Sequence, residues 1–280
     1  VTATLPSPVD VPARVARAKR FLMCRPDHFD VTYAINPWMD TSRPVDRDLA
    51  LRQWETLRAA YEAKGHRVEV VDGVVGLPDM VFAANGGFAV GDRAMAATFA
   101  HVERQPEGDA YHAWFTAAGF TSTTRAVAVN EGEGDLLRVG NLILAGHGFR
   151  SSTQAHHEVR EFFGLPVISL ELVDPRFYHL DTALCVLDDH NVAYYPAAFA
   201  PQAQRLLEQL FPDAVIATDA DAEVLGLNAV SDGRHVFLTD AATGMHAALR
   251  ERGYEPVGID LGELLKAGGS VKCCTLELHP

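Results

Sequence analysis

The sequence predicts an α/β fold built as a ring of five ββαβ units around one axis. One order of segments recurs along the chain: a polar residue, two short apolar runs split by a Gly, Asp or Asn turn, an amphipathic helical pattern, then a β-branched strand. The residues that open the units are evenly spaced: Asn85, Asp135, Asp181, Asn228 and Cys273 lie 50, 46, 47 and 45 residues apart. A doubly wound sheet also alternates strands with helices. The hairpins inside each unit favour the ring, because parallel sheets join their strands by crossovers instead.

The elements follow in order. Residues 45–65, VDRDLALRQWETLRAAYEAKG, place apolar side chains three and four apart and predict a helix, with HRVEVVD as the next strand. NGGFAVGDRAMAATF (85–99) predicts a hairpin, AYHAWFTAAGF (110–120) a helix and TRAVAVN a strand. GDLLRVGNLILAG (134–146), QAHHEVREFFGL (154–165) and PVISLELV repeat that order. DTALCVLDDHNVAYYP (181–196), PQAQRLLEQLF (201–211) and DAVIAT repeat it again, as do NAVSDGRHVFLTD (228–240), GMHAALRERGY (244–254) and PVGIDL. The run after GGSVKC closes the ring against the first helix and strand, with Cys273 toward the axis and Cys274 on the opposite, core-facing side of the same strand. The chain 1–280 is expected to be a single domain, with 1–20 as an N-terminal extension.

Composition narrows the function. A hydrophobic content of 48% with 22% charged residues is that of a folded globular protein. The net charge of −13 and the lack of a basic run argue against nucleic acid, while leaving room for a small cationic ligand. No apolar stretch approaches the roughly 18 residues a membrane helix needs. The N-terminal residues lack the apolar core of a secretion signal, so the expected address is cytoplasmic. Cys24, Cys185, Cys273 and Cys274 are expected as thiols, since a core of this size does not need disulfides. CxxC and HExxH are absent, and a Cys, His and Asp drawn from three units form no short-range ligand pair, so no metal is expected.

The ring would bring a coherent set of side chains to its axis: Asp79 and Asn85 from LPDMVFAAN, Glu131, Glu133 and Asp135 from NEGEGD, His179 and Asp181 from YHLD, and Cys273. A thiol beside an imidazole is the minimum for nucleophilic catalysis, and several carboxylates suit a cationic substrate. Each member has a plainer explanation alone. A histidine before a strand is usually a structural hydrogen-bonder, a free cysteine usually a small buried apolar residue, and EGEGD reads equally as a solvated turn. Their shared register with the repeat lifts the set above its members.

These residues carry a resemblance to the guanidino-group modifying superfamily of arginine deiminases, dimethylarginine dimethylaminohydrolases, arginine dihydrolases and amidinotransferases. The motifs are PDMVFAAN (78–85), EGEGD (131–135), GFRSS (148–152), FYHLD (177–181) and GGSVKC (268–273), and the likeness extends over nearly the whole chain. It implies the five-bladed α/β-propeller, or pentein, and a site without cofactor or metal. Cys273 matches the nucleophile, His179 the general acid/base and Asp181 the carboxylate that grips guanidinium nitrogens. Relatives show E-x-x-D where this chain has E-G-E-G-D; Glu131 is the expected catalytic acid and Asp135 its support, with Glu133 the alternative. Asp79, Phe82, Asn36 and Asn85 are expected on the substrate, and Arg104 and Arg150 on its α-carboxylate. Asparagine at 85, where deiminases and dimethylaminohydrolases carry aspartate, together with INPWM (35–39) and DPRFYHLDT (174–182), looks most like the arginine dihydrolase branch.

The resemblance implies a hydrolase acting on the guanidino carbon of free L-arginine or an Nω-methylated arginine through a thiouronium-type adduct on the cysteine. The expected product is citrulline, or ornithine after a second hydrolysis. The rivals are a dedicated dimethylarginine dimethylaminohydrolase, an amidinotransferase and a non-catalytic propeller, as in the ribosome anti-association factor. The expected partner is a small guanidino amino acid; Trp38 or exposed phenylalanines leave room for a homo-oligomer or a lid.

Overall fold

Short strands and amphipathic helices alternate through the computed structural model, which describes residues 13–280. After β1 (Arg20–Cys24) come a loop, α1 (Arg47–Ala63) and β2 (Arg67–Val71). Two similar stretches follow: β3 (Gly87–Val90), β4 (Arg93–Ala96), α2 (Glu107–Ala117) and β5 (Ser122–Arg125), then β6 (Leu136–Val139), β7 (Leu142–His147), α3 (Thr153–Phe163) and β8 (Val167–Glu171). A short helical turn, α4 (Leu180–Ala183), precedes β9 (Leu184–Val186), β10 (Val192–Tyr194), α5 (Pro201–Leu210) and β11 (Val215–Ile216). Another turn, α6 (Asp219–Ala222), leads to β12 (Val230–Ser231), β13 (His235–Thr239), α7 (Thr243–Glu251) and β14 (Glu255–Ile259). The chain ends with α8 (Gly262–Leu265) and β15 (Leu276–His279).

Pairing repeats one rule. In each hairpin the strands run antiparallel, as with Gly87↔Ala96 and Leu136↔Ala145. The helix then returns the chain so that the third strand lies parallel to the second, as with Arg93↔Ser122 and Ile143↔Val167. The β9–β10–β11 and β12–β13–β14 sets obey it too. Chain ends supply the remaining set: β15 pairs antiparallel with β1 (Leu22↔Leu276), and β1 parallel with β2 (Phe21↔Val68). A parallel contact of β15 with β3 merges two sets into the six-stranded sheet β2-β1-β15-β3-β4-β5 beside three three-stranded sheets.

Local chemistry accounts for the helices. Asp46 caps α1 by accepting from the Leu49 amide, and the buried stripe Ala50, Trp54, Leu57 and Tyr61 follows helical spacing. Each large member of such a stripe contributes about 2 kcal/mol by leaving water. Ser152 caps α3, and Gly164 ends it in the left-handed conformation (φ 70°) that a side chain would disfavour.

Several expectations shift. The predicted strand TRAVAVN is observed earlier, at Ser122–Arg125, because the chain leaves the sheet after Arg125 and only Asn130 returns, to bridge Thr98. Cys273 and Cys274 do not occupy opposite faces of one strand. Both are buried in a tight turn before β15, with the Cys274 amide donating to the Ser270 carbonyl (3.2 Å). Of the expected extension, residues 1–12 lie outside the described residues, and Arg14 already holds Asp188 (3.0 Å) and Lys19 Glu277 (2.8 Å). All four cysteines are free thiols, and no helix among the described residues is long and apolar enough to cross a membrane.

Candidate active site

The unit-opening residues all sit in tight turns just ahead of a first strand: Asn85 before β3, Asp135 before β6, Asp181 within α4, Asn228 before β12 and Cys273 before β15. Their turns touch one another in succession. Gly134 packs so closely that a Cβ there would lie 2.4 Å from Asn85 Nδ2. Asp135 Oδ1 accepts from the Leu180 amide (3.1 Å), and Asn228 Nδ2 donates to the Asp181 carbonyl (3.1 Å). The Cys273 and Ser270 amides donate to Asn228 Oδ1 (3.0 and 3.1 Å), and the Cys273 carbonyl accepts from Ala84, beside Asn85 (3.0 Å). The contacts thus run from 85 back to 84.

The Cys273 thiol is buried, 3.4 Å from Asp181 Oδ2 and 3.1 Å from Asn228 Nδ2. Burial pushes its pKa well above that of a free thiol, and the Asp181 carboxylate pushes it further. Asp181 is itself raised to about 6, chiefly by burial. In this environment the cysteine is a neutral thiol, and a cation beside it is what would ionise it.

His179 is fully buried, and its Nε2 lies 2.8 Å from Glu131 Oε2. Burial opposes charge on Glu131, but Arg150 and the His179 hydrogen bond outweigh it and hold the carboxyl well below the usual range. An ionised carboxylate only accepts, so Nε2 carries the proton toward Glu131. That tautomer leaves Nδ1, buried and unpartnered, as the nitrogen free to exchange protons. Glu131 Oε1 accepts from the Ala100 amide (3.0 Å), and Arg150 Nη1 donates to Oε2 (2.9 Å). Glu133, in the same turn, faces elsewhere: it accepts from Lys272 Nζ (2.6 Å), the Glu277 amide (2.7 Å) and His279 Nε2 (3.0 Å). Asp135 also ties backbone, through the Ser151 amide (3.2 Å) as well as Leu180.

Arg104 is buried. Its guanidinium donates to Glu107 from Nε (3.0 Å) and Nη2 (2.8 Å), to Asn85 Oδ1 from Nη1 (2.8 Å) and to the Asp79 carbonyl from Nη2 (3.2 Å). Asp79 Oδ2 accepts from the Tyr33 hydroxyl (2.9 Å), and burial raises the Asp79 carboxyl. Phe82 is buried against Gly269, where a Cβ would come within 2.2 Å of its ring. Asn36 is taken up by backbone, donating to the Ala267 carbonyl (3.0 Å) and accepting from Trp38 N (2.9 Å).

The loop of residues 25–46 covers this cluster. Besides Tyr33 and Asn36 it contributes the Ile35 carbonyl, which accepts from Arg150 Nη2 (2.9 Å), and Trp38 Nε1, which donates to the Arg176 carbonyl (2.8 Å). Among the described residues, six buried side-chain polar atoms lack a partner, and four of them belong here: Asp79 Oδ1, Asn85 Nδ2, His179 Nδ1 and Asp181 Oδ1. Buried polar atoms are normally paired, so this concentration marks the candidate site for a small polar ligand.

In the sequence Asn228 stands out only as a unit opener; its register is the signal for the bond to Cys273. Tyr33 and Glu107 carry no such signal, because Tyr33 comes from the irregular 25–46 loop and Glu107 opens α2 outside the register of the repeat.

A family model described as "N,N dimethylarginine dimethylhydrolase, eukaryotic" matches residues 25–280. The N(G),N(G)-dimethylarginine dimethylaminohydrolase of Mycobacterium tuberculosis is 57% identical over 95% of this chain and 88% of its own length. The bifunctional arginine dihydrolase/ornithine cyclodeaminase AgrE of a Nostoc species is 40% identical over 92% of this chain, which spans 38% of that larger protein. Among solved structures, the N-terminal domain of the cyanobacterial arginine dihydrolase ArgZ, a cysteine-to-serine variant bound to substrate, superposes with a TM-score of 0.89 at 36% identity, covering 93% of this chain and 98% of that one.

Proposed function

The chain belongs to the N,N dimethylarginine dimethylhydrolase family, and on that premise we propose the reaction and roles that follow. It is a C–N hydrolase of linear amidines that acts on the guanidino carbon of arginine or a methylated arginine. The observation that carries the site assignment is the cluster of unpartnered polar atoms that includes Asp181 Oδ1, on the carboxylate 3.4 Å from the Cys273 thiol. We take the five strand sets to be the blades of one α/β-propeller forming a single domain, a reading supported by the closed circuit of contacts between their opening turns. Four free thiols support a cytoplasmic address.

A guanidinium stays protonated at neutral pH, and Asp181 Oδ1 and Asp79 Oδ1 are the free acceptors for its N–H groups. Its charge offsets the repulsion that keeps Cys273 protonated, so the nucleophile ionises as substrate seats and its proton passes to His179 Nδ1. The thiolate attacks the guanidino carbon and forms the S–C bond. His179 Nδ1 protonates the departing amine, the C–N bond breaks, and a thiouronium adduct remains. Water, deprotonated by the same nitrogen, adds to that carbon and expels the thiolate, giving citrulline. Glu131 holds the imidazole tautomer and balances the imidazolium. Arg150, with donors beyond the two it spends on Glu131 and Ile35, is placed for the α-carboxylate. Arg104 keeps one donor of five, so the expected pair of carboxylate clamps narrows to Arg150.

Asn85 favours arginine as substrate with two rounds of hydrolysis. A guanidinium has no lone pair for Asn85 Nδ2, whereas a ureido group offers its oxygen. A held citrulline attacked again yields ornithine, carbon dioxide and ammonia. The 57% identical relative supports the second reading, release of dimethylamine from dimethylarginine. Amino-acid and amine analysis after incubation with each substrate separates them: ornithine with two ammonia, or citrulline with dimethylamine. Cys273→Ser abolishes either reaction and Cys274→Ser keeps most of it; the reverse pattern removes the nucleophile assignment.

A further inference from the structure

Resting on the proposed guanidino-carbon chemistry, we infer that Glu107 is a positioning residue that, through Arg104, fixes the Asn85 carboxamide with its N–H toward the reacting group and so tunes the site for the neutral ureido product. The two ends of a carboxamide are nearly the same size, so packing alone does not choose which faces the site. A guanidinium has only donors. Arg104 Nη1, 2.8 Å from Asn85, therefore selects the oxygen and turns Nδ2 the other way. Nδ2 is buried without a partner, and the point where a Gly134 Cβ would stand is 2.4 Å from it and 3.1 Å from His179 Cγ. Gly134 thus lets the amide donor and the proposed acid/base ring approach each other closely.

Glu107 makes this orientation a fixed one. It lies fully buried at the first position of α2 and grips Arg104 with both oxygens, Oε1 from Nε (3.0 Å) and Oε2 from Nη2 (2.8 Å). Phe99 lies under the guanidinium, its ring centre 4.7 Å away. A two-point grip on a planar group sets its plane as well as its place, which a single contact does not. Burying such a pair is weak as a source of stability, since both partners lose water. What the pair provides is direction: one guanidinium edge for Glu107, the other for the Asn85 oxygen.

The consequence is a difference between two ligands. Arginine offers Nδ2 no acceptor, and citrulline offers its ureido oxygen. Binding is measured by calorimetry on Cys273→Ser protein, which does not turn over, with and without Glu107→Gln. The carboxamide introduced by that substitution retains one acceptor and loses the charged two-point grip. Citrulline is expected to weaken about tenfold, the worth of one well-aligned hydrogen bond, while arginine changes less than about twofold. Equal weakening of both ligands would mean that Glu107 merely supports the fold, and unchanged binding of both would mean that Arg104 does not need it; either overturns the inference. If neither ligand binds the Cys273→Ser parent, the functional reading itself fails. Should Glu107→Gln not fold, Glu107→Asp keeps the charge, is too short to hold Nε and Nη2 at once, and is expected to give the same selective loss.

Discussion

The Cys273 thiol is an unpromising nucleophile on its own, since burial and the Asp181 carboxylate 3.4 Å away both favour the protonated form. A general-purpose reactive cysteine is exposed and flanked by positive charge. In the proposed reaction the substrate delivers that positive charge to Cys273, which would confine the thiol's reactivity to cationic amidines. Asp181 is then the residue that senses pH. Its carboxyl is raised to about 6, so it is ionised above that pH and neutral below it. Because the anion is the form that holds a guanidinium, kcat/KM for arginine is expected to fall about tenfold per pH unit below about 6. Asp181→Asn removes that ionisation, lowers the plateau and flattens the acid limb. An acid limb unchanged in the variant would assign it to another group. His179, Asp181 and Cys273 are legible in the sequence because each stands in a short motif in register with the repeat. The orientation of Asn85 is not, because it depends on a bond from Arg104, 19 residues away in a loop.

Two acids two residues apart do different work because one short turn splits them. The 3₁₀ turn Gly132–Gly134 points Glu131 to His179 and Glu133 to the C-terminal strand. In sequence the two are interchangeable. Nothing in E-G-E-G-D says which side of the turn faces the axis, and Gly132, at φ 56° against the Ala84 carbonyl, is what allows the tight crossing. Glu131→Gln leaves Arg150 and His179 without their anion, and kcat is expected to drop by about 10² to 10³. Glu133→Gln instead strips Lys272 of its buried counter-ion. It is expected to cost about 3 kcal/mol of stability while the folded fraction turns over at near the parent kcat. Denaturant unfolding beside active-site-titrated kinetics checks both; a kcat loss in the Glu133 variant as large as that in Glu131→Gln would reject the division. The elements themselves are easier to read than this turn. Helices such as α1 and α3 announce themselves by caps and apolar spacing, whereas the cysteine turn before β15 reads as strand because its apolar residues continue into one.

At the scale of the whole molecule the chain ends are stitched together, and the stitching is charged. The hairpin turn of β12 and β13 holds Asp232, whose Oδ2 lies 2.7 Å from His235 Nδ1 and 3.3 Å from His66 Nε2, the residue that precedes β2. Its Oδ1 accepts from the Arg234 and His235 amides (2.8 and 2.7 Å), and its carbonyl accepts from Arg17 N (2.9 Å). The regular alternation of strand and helix foretells the units but not this seam, whose distant partners Arg17 and His66 follow no period. Burial opposes charge on Asp232, yet the two histidines and the two amides outweigh it and hold the carboxyl well below its usual value. A carboxyl depressed on folding contributes stability that is fully present above its unfolded pKa, near 4, and is lost as pH falls through the folded value. The protein is therefore expected to lose thermal stability progressively below about pH 4. Asp232→Asn keeps the shape but replaces a charged acceptor of several hydrogen bonds, so Tm at pH 7 is expected to drop by roughly 3–7 °C, from about 2–4 kcal/mol. Its acid limb should be shallower, and the two Tm curves should approach each other as pH falls toward 2. Glu277, also held low against its burial by His279 and Lys19, leaves the variant a residual slope. Scanning calorimetry from pH 2 to 8 decides it: curves that stay parallel across the range would show that Asp232 carries no share of the acid sensitivity.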